Sequence, residues 1–256
     1  MVEIKTPGEI QAMRESGRVV ARILAAVRER AEPGLRLAEL DEVASAVLAG
    51  AGATSPFLGY QPAFAPTPFP AVICASVNDA ALHGIPDRRY RLTEGDLLSV
   101  DCGAVLDGWA ADAAISFTIG PPRPADARLI ETTEAALRAG IAAAVPGARV
   151  GDISAVIGAA GRAGGYGICT DFGGHGVGRV MHEDPHIPNE GRAGRGRRLT
   201  PGLVIAIEPW FLAGGEDRYY IDQDGWTIRS GDGSRAAHAE HTIAVTADRP
   251  QVLTLL

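Results

Sequence analysis

Five residues able to do acid–base or metal chemistry stand in surroundings that do not suit their charge. Asp101 follows Leu97-Leu98-Ser99-Val100, Asp112 follows Gly108-Trp109-Ala110-Ala111, and Glu208 follows Val204-Ile205-Ala206-Ile207. His175 lies between Gly174 and Gly176, and Glu240 between Ala239 and His241-Thr242-Ile243. Val100 and Ile207 belong to short β-branched runs of the kind that form buried strands. A bare carboxylate there loses several kcal/mol of hydration, so it must be paired, protonated or bound to a cation. Arginine is scarce beside these positions, which leaves a metal as the natural partner. Four carboxylates carry four negative charges, and two divalent cations carry four positive ones. Taken singly, Asp101 reads as a turn residue, Glu208 as a surface residue closing a strand and His175 as a loop histidine. Together the five read as a dinuclear metallohydrolase site.

Elements to carry them can be read along the chain. Thr6-Pro7-Gly8-Glu9 has an N-cap threonine, a proline at the first helical position and a glutamate placed for a capping box, and Ile10, Met13, Val20, Leu24 and Val27 follow as a helical stripe. The spacing predicts a second helix over about 36–50 with Leu37, Leu40, Val43 and Val47 on one face. Strand-like runs occupy 71–77, 97–101 and 115–119. After Pro121-Pro122 the order restarts, with helices at about 124–144 and 150–163 and strands at 203–208, 226–229 and 241–246.

The restart has the character of a duplication. Pro33-Gly34-Leu35-Arg36-Leu37 echoes Pro146-Gly147-Ala148-Arg149-Val150, and Leu92-Thr93-Glu94-Gly95 echoes Leu199-Thr200-Pro201-Gly202. The second spacing places Asp101 opposite Glu208, one carboxylate from each half. The expectation is one α+β domain over 1–256, with pseudo-twofold related halves at about 1–120 and 121–256.

Bulk properties agree. A hydrophobic content of 46% is ample for a core. A net charge of −7 lacks the broad basic footprint of a specific nucleic-acid binder. No apolar run approaches the roughly 18 residues of a membrane span. Met1-Val2-Glu3-Ile4-Lys5 is not built like a signal peptide. Cys74, Cys102 and Cys169 are odd in number and far apart, which points to a reducing cytoplasm and away from disulfides or a structural zinc.

Three motifs are set aside. His182-Glu183-Asp184-Pro185-His186 matches the His-Glu-x-x-His of zinc proteases, but Pro185 and Pro188 forbid the continuous helix that chemistry needs. Gly173-Gly174-His175-Gly176-Val177-Gly178 lacks the spacing of a nucleotide loop. The run Arg192-Ala193-Gly194-Arg195-Gly196-Arg197-Arg198 reads as a solvated flexible loop, with a transient contact to ribosomal RNA as the alternative.

At these residues the chain resembles a known family, the type I methionine aminopeptidases of the pita-bread fold, bacterial type. The matching segments are Thr6-Pro7-Gly8-Glu9-Ile10, Asn78-Asp79-Ala80-Ala81-Leu82-His83-Gly84-Ile85-Pro86, Asp101 with Asp112, Gly174-His175-Gly176-Val177-Gly178, Met181-His182-Glu183-Asp184-Pro185, Ile207-Glu208-Pro209, Asp224-Gly225-Trp226-Thr227 and Ala239-Glu240-His241-Thr242. The chain carries no N-terminal extension, so the resemblance implies the bare catalytic domain, a monomer acting on the N-termini of nascent polypeptides without a membrane.

The resemblance also implies roles. Asp101 would chelate one metal ion, His175 and Glu208 the other, and Asp112 and Glu240 would bridge them. Glu208 would accept a proton from the attacking water, His182 would donate to the carbonyl oxygen, and His83 would contact the substrate's backbone nitrogen. Tyr60, Cys74 and Trp226 align as pocket residues. Between Tyr60 and Cys74 the chain is a few residues longer than in compact bacterial members and rich in proline; Phe57 stands where some members have a small sulfur residue, and Phe64 or Phe69 is left to supply the remaining aromatic wall. An oxygen-rich set with one imidazole accepts cobalt, manganese, iron or zinc. The rival readings are a proline-specific peptidase of the same fold, usually with an additional N-terminal domain, and a non-catalytic binding protein on the same scaffold.

Overall fold

The first helix begins as its sequence demands. In the computed structural model, which describes residues 2–256, α1 (Pro7–Arg30) is capped by Thr6. The Thr6 hydroxyl accepts from the Glu9 N–H at 3.4 Å, and the Glu9 carboxylate accepts from the Thr6 N–H at 2.8 Å. Met13, Val20, Leu24 and Val27 are buried, with Ile10 half-buried at the edge. Helix α2 (Leu37–Ala51) buries Leu37, Leu40, Ala44 and Leu48, whereas the expected Val43 and Val47 are only half-buried. The inward face is therefore rotated from the expected stripe, with Ala44 wholly inside the core and Val43 at its edge.

Strands β1 (Ile73–Val77) and β2 (Ala80–Leu82) precede a long hairpin, β3 (Leu97–Leu106) and β4 (Trp109–Thr118). The separate runs expected at 97–101 and 115–119 are the ends of this one ladder, paired from Leu97↔Thr118 to Leu106↔Trp109. Its middle is rich in Ala and Gly and shows no β-branched pattern, so pairing makes the strand where propensity does not. Asp107 and Gly108 turn the hairpin with positive φ.

Helices α3 (Pro124–Ala143) and α4 (Val150–Ala163) follow, as the sequence predicts. Nine short strands complete the chain: β5 (Gly174–Gly176), β6 (Glu183–Ile187), β7 (Val204–Ile207), β8 (Trp210–Leu212), β9 (Tyr219–Ile221), β10 (Ile228–Ser230), β11 (Ala236–His238), β12 (His241–Ala244) and β13 (Gln251–Val252). The sheets run β1-β3-β4, β13-β12-β7-β5-β6, β2-β10-β9 and β11-β8. Val20, Ile23, Leu40, Ile73, Leu98 and Val100 share one core, while Leu137, Ile153, Ile157, Ile205 and Ile207 share another.

The echoed segments adopt matching local structure. The Gly34 N–H donates to Leu92 O at 2.7 Å and the Leu92 N–H to Leu35 O at 2.8 Å. The Gly147 N–H donates to Leu199 O at 2.9 Å and the Leu199 N–H to Ala148 O at 2.7 Å. Each of the two following helices is capped by an acidic residue, Glu39 or Asp152, accepting from the backbone N–H of Arg36 or Arg149.

The arginine-rich stretch is solvated but held. The Val150 and Gly151 N–H groups donate to Arg197 O and Arg195 O, both at 2.9 Å, so the loop closes the N-terminus of α4 rather than hanging free. The His182–His186 stretch is largely the strand β6, not a helix. The glycines of β5 are needed for close approach: a Cβ at Gly174 would collide with Ala206 O, and one at Gly176 with Asp184 O.

Candidate active site

Strand register explains how residues far apart in sequence meet. Asp101 pairs with Ala114 and Gly103 with Asp112, so the two aspartates are diagonal neighbours on one face of the β3–β4 hairpin. On the far side of β4, the Ala114 N–H donates to Glu240 O at 3.4 Å and the Glu240 N–H to Ala114 O at 2.9 Å. His241 pairs with Ile207, which brings Glu240 and Glu208 side by side at the ends of β12 and β7. Gly176 pairs with Ile205 and sets His175 beside them. Thr242 fastens the junction: its hydroxyl accepts from the Asp112 N–H at 3.0 Å and faces Asp112 O at 2.8 Å and Oδ1 at 3.0 Å.

Donor atoms of Asp112, His175 and Glu240 come within 4.8 Å of one another. His175 Nε2 is 3.4 Å from Asp112 Oδ2 and 3.6 Å from Glu208 Oε1. Asp101 lines the same cavity. Asp101 Oδ1 and Glu240 Oε1 are buried with no hydrogen-bond partner. Buried anionic oxygens without a donor are costly, and a cation is the partner that would satisfy them.

The proton affinities carry the same signature. Burial, then the charge of Asp112, pushes Asp101 well above the usual carboxylate range, and burial with Asp112 and Glu208 does the same to Glu240. Burial lifts Glu208 to about 7. For Asp112, burial is outweighed by the His175 imidazolium, so its carboxyl is lowered; for His175, burial is outweighed by Asp112 and Glu208, which raise it to about 9. A metal ion requires deprotonated ligands and would take the place of these protons.

Beside the cluster, one cavity of about 310 Å³ is lined by Phe57, Tyr60, Phe64, Phe69, Cys74, His83, His182 and Trp226 together with all five clustered donors. Trp226 and Cys74 are buried, and Phe69 meets Trp226 edge to face at 5.0 Å. The proline-rich insertion is the wall that seats Trp226, whose Nε1–H donates to Thr67 O at 2.9 Å. Both Phe64 and Phe69 contribute, where the sequence left a choice between them. His83 has a left-handed φ of 55°, a conformation that non-glycine residues hold only when their surroundings enforce it. Burial lowers His83 to about 4, and burial with the charge of His175 lowers His182 to about 4, so both are neutral donors at pH 7.

Two contributors escaped the sequence reading. Phe172 lines the cavity and meets His83 edge to face at 5.4 Å; its place immediately before Gly173-Gly174-His175 was the available signal. His238, fully enclosed on β11, puts Nε2 3.7 Å from Glu208 Oε2 and 4.0 Å from Glu240 Oε2. It stands in a run of alanines and gave no local sign. His186, without a role in the sequence reading, lies at the cavity edge.

Comparison with known proteins places this arrangement. The sequence profile of metallopeptidase family M24 matches residues 11–247. The chain is 48% identical to methionine aminopeptidase 1 of Mycobacterium tuberculosis over 261 aligned residues, covering 100% of this chain and 96% of that one. It superposes on the crystal structure of methionine aminopeptidase from Thermotoga maritima with a TM-score of 0.95 at 37% identity, each chain covered in full. A prolidase from Pyrococcus furiosus shares the fold at a TM-score of 0.77 and 23% identity, with 65% of its length covered.

Proposed function

The chain belongs to metallopeptidase family M24, and from that premise we propose that it removes the N-terminal methionine of newly made proteins whose second residue is small. The observation that carries this reading is the single cavity in which the carboxylate–imidazole cluster meets an aromatic and thiol wall. An unbranched thioether packs well against such a wall, formed here by Phe57, Phe69, Cys74 and Trp226.

The unpartnered oxygens of Asp101 and Glu240, and the convergence of four carboxylates with one imidazole, fit divalent cations. Asp101, Asp112, His175, Glu208 and Glu240 would hold two of them, with cobalt, manganese, iron or zinc all suited to the donor set. When bound, such ions lower the pKa of water and polarise a carbonyl. Glu208, on the wall of the cavity beside His175, takes the proton of the attacking water and returns it to the leaving amine. Neutral His182 donates its N–H to the carbonyl oxygen as negative charge builds there. His83, its ring packed edge to face on Trp226 at 6.2 Å between centroids, holds the backbone nitrogen of the scissile bond, and a small second side chain is what the resemblance to the methionine aminopeptidases implies. We read residues 1–256 as one catalytic domain working as a monomer. Three unpaired cysteines support a cytoplasmic setting, and the exposed arginines of 192–198 would support a transient ribosome contact.

A peptide panel varying only the first two residues, assayed with added manganese or cobalt, tests the reading. Met-Ala and Met-Gly chains should be cleaved fast and Met-Lys or Met-Phe chains very slowly. Norleucine should replace methionine fairly and alanine poorly, since missing methylenes cost about 1–3 kcal/mol. Preference for proline at position two irrespective of the first residue would move the chain to the proline-specific relatives.

A further inference from the structure

We propose that Lys5 and Glu183 are positioning residues for His182, forming a buried strap that fixes the 178–183 loop at the substrate cavity. The inference rests on the role given to His182 above. The Lys5 side chain is 1% exposed, and its Nζ lies 2.6 Å from Glu183 Oε2; it also reaches Glu3 O at 3.5 Å and the exposed Glu3 carboxylate at 3.8 Å. The backbone of Lys5 is itself anchored, its N–H donating to Gly202 O at 2.8 Å. The other oxygen of Glu183 accepts from the Arg179 N–H at 3.0 Å. One carboxylate thus clamps both ends of Arg179-Val180-Met181-His182 and ties them to the start of the chain. Gly178 leaves space for this arrangement, since a Cβ there would collide with the Glu183 carboxylate.

His182 needs such support. Among the described residues its ring has no hydrogen bond, only contacts with His175 at 4.4 Å and Tyr60 at 5.2 Å between centroids. Arg179 stacks over Trp109 at 3.6 Å and Met181 is buried, so the loop is anchored on both sides of an exposed Val180. A buried ammonium–carboxylate pair contributes little net stability over apolar residues of the same size, because both charges are desolvated. What it does supply is one fixed geometry, and the residue adjacent to Glu183 is the one that must meet an oxyanion.

A double-mutant cycle with His182→Ala tests this, using peptide turnover by the metal-loaded enzyme. Lys5→Met should lower kcat roughly 10–10²-fold with little change in KM, as small misplacements of catalytic groups do. In the His182→Ala background the same substitution should cost nothing more. Equal losses in both backgrounds would overturn the inference. An unchanged kcat in His182→Ala alone would overturn the role of His182, and this inference with it. Lys5→Met leaves Glu183 without its cation, so Lys5→Met with Glu183→Gln removes the charges together; Tm should recover while kcat stays low. Recovery of kcat in that protein would show that the strap is not needed. The imidazole resonances of His182 should shift or broaden in Lys5→Met, and unaltered resonances would also count against it.

Discussion

Glu208 faces two imidazoles at similar range, His175 from one oxygen and His238 from the other. Burial raises its proton affinity while the His175 charge lowers it, and replacement by an amide of the same size isolates its charge. Glu208→Gln should abolish turnover and weaken cation binding, read by peptide hydrolysis and metal analysis of the same sample. His182→Ala should behave differently: kcat should fall roughly 10²–10³-fold with little change in KM, as for a donor whose bond strengthens in the transition state. Its metal content should remain that of the unaltered protein, and loss of metal would make His182 a ligand. The charged residues of the cavity were legible in the sequence because each sat in apolar or glycine-rich surroundings that required a partner. His238 was not, since its approach to Glu208 depends on the pairing of β8 with β11, Trp210 against His238, which no local pattern encodes.

At the scale of elements, the decisive contact is the junction of β4 with β12. Thr242 spans it with a side chain that serves both the backbone and the carboxylate of Asp112. Valine has nearly the shape of threonine without the hydroxyl. Thr242→Val leaves a buried Asp112 N–H unpaired, at a cost of about 1–3 kcal/mol. Because the same hydroxyl orients a candidate ligand, cation affinity should also fall, roughly 10–100-fold. Thermal unfolding and calorimetric cation titration check the two effects separately, and unaltered affinity would deny Asp112 a ligand's role. Helices were the most readable elements, since α1 announces itself through Thr6, Pro7 and Glu9 together. The hairpin was read only at its ends. Cys102 through Asp112 have the composition of a loop, and the residues either side of the Asp107-Gly108 turn become strand because β3 and β4 pair with each other, with Thr54 bridging Val105 on the outer side.

Across the whole molecule the buried titratable groups set a dependence of stability on pH. Glu208, raised from 4.5 to about 7, and His175, raised from 6.5 to about 9, bind protons more tightly in the folded chain. The stability they contribute is complete below their unfolded values and is lost as pH rises through 7 and 9. His83, His182 and His241, lowered to about 4, and His238, lowered to about 3, act in the opposite sense; burial is the leading cause for each. Their contribution is present above 6.5 and is lost as pH falls toward 4 and 3. The metal-stripped protein should therefore lose Tm between pH 7 and 9, and again in acid. Divalent cations, which displace the protons of the cluster, should flatten the alkaline decline. At about 100 times Kd they should add about 2.7 kcal/mol, roughly 5–10 °C in Tm. A stripped protein that gains stability from pH 7 to 9 would contradict the charge balance. The echo between Leu92-Thr93-Glu94-Gly95 and Leu199-Thr200-Pro201-Gly202 is matched by like backbone bonds at Leu92 and Leu199, while the contact of β4 with Glu240 belongs to tertiary packing alone.

The reciprocal Ala114–Glu240 bonds have a consequence for traffic through the enzyme. Many hydrolases admit substrate by parting two lobes along a cleft, but here the strand that carries Asp112 is stitched by main-chain hydrogen bonds to Glu240 itself. Parting the lobes would dismantle the chemistry it was meant to serve. Among the cavity's lining residues Tyr60 and Phe64 are the exposed aromatics, and they stand on loops outside that seam. Cross-linking Tyr60 to the 178–183 loop should therefore slow turnover, whereas a cross-link between β4 and β12 that spares the ligands should not.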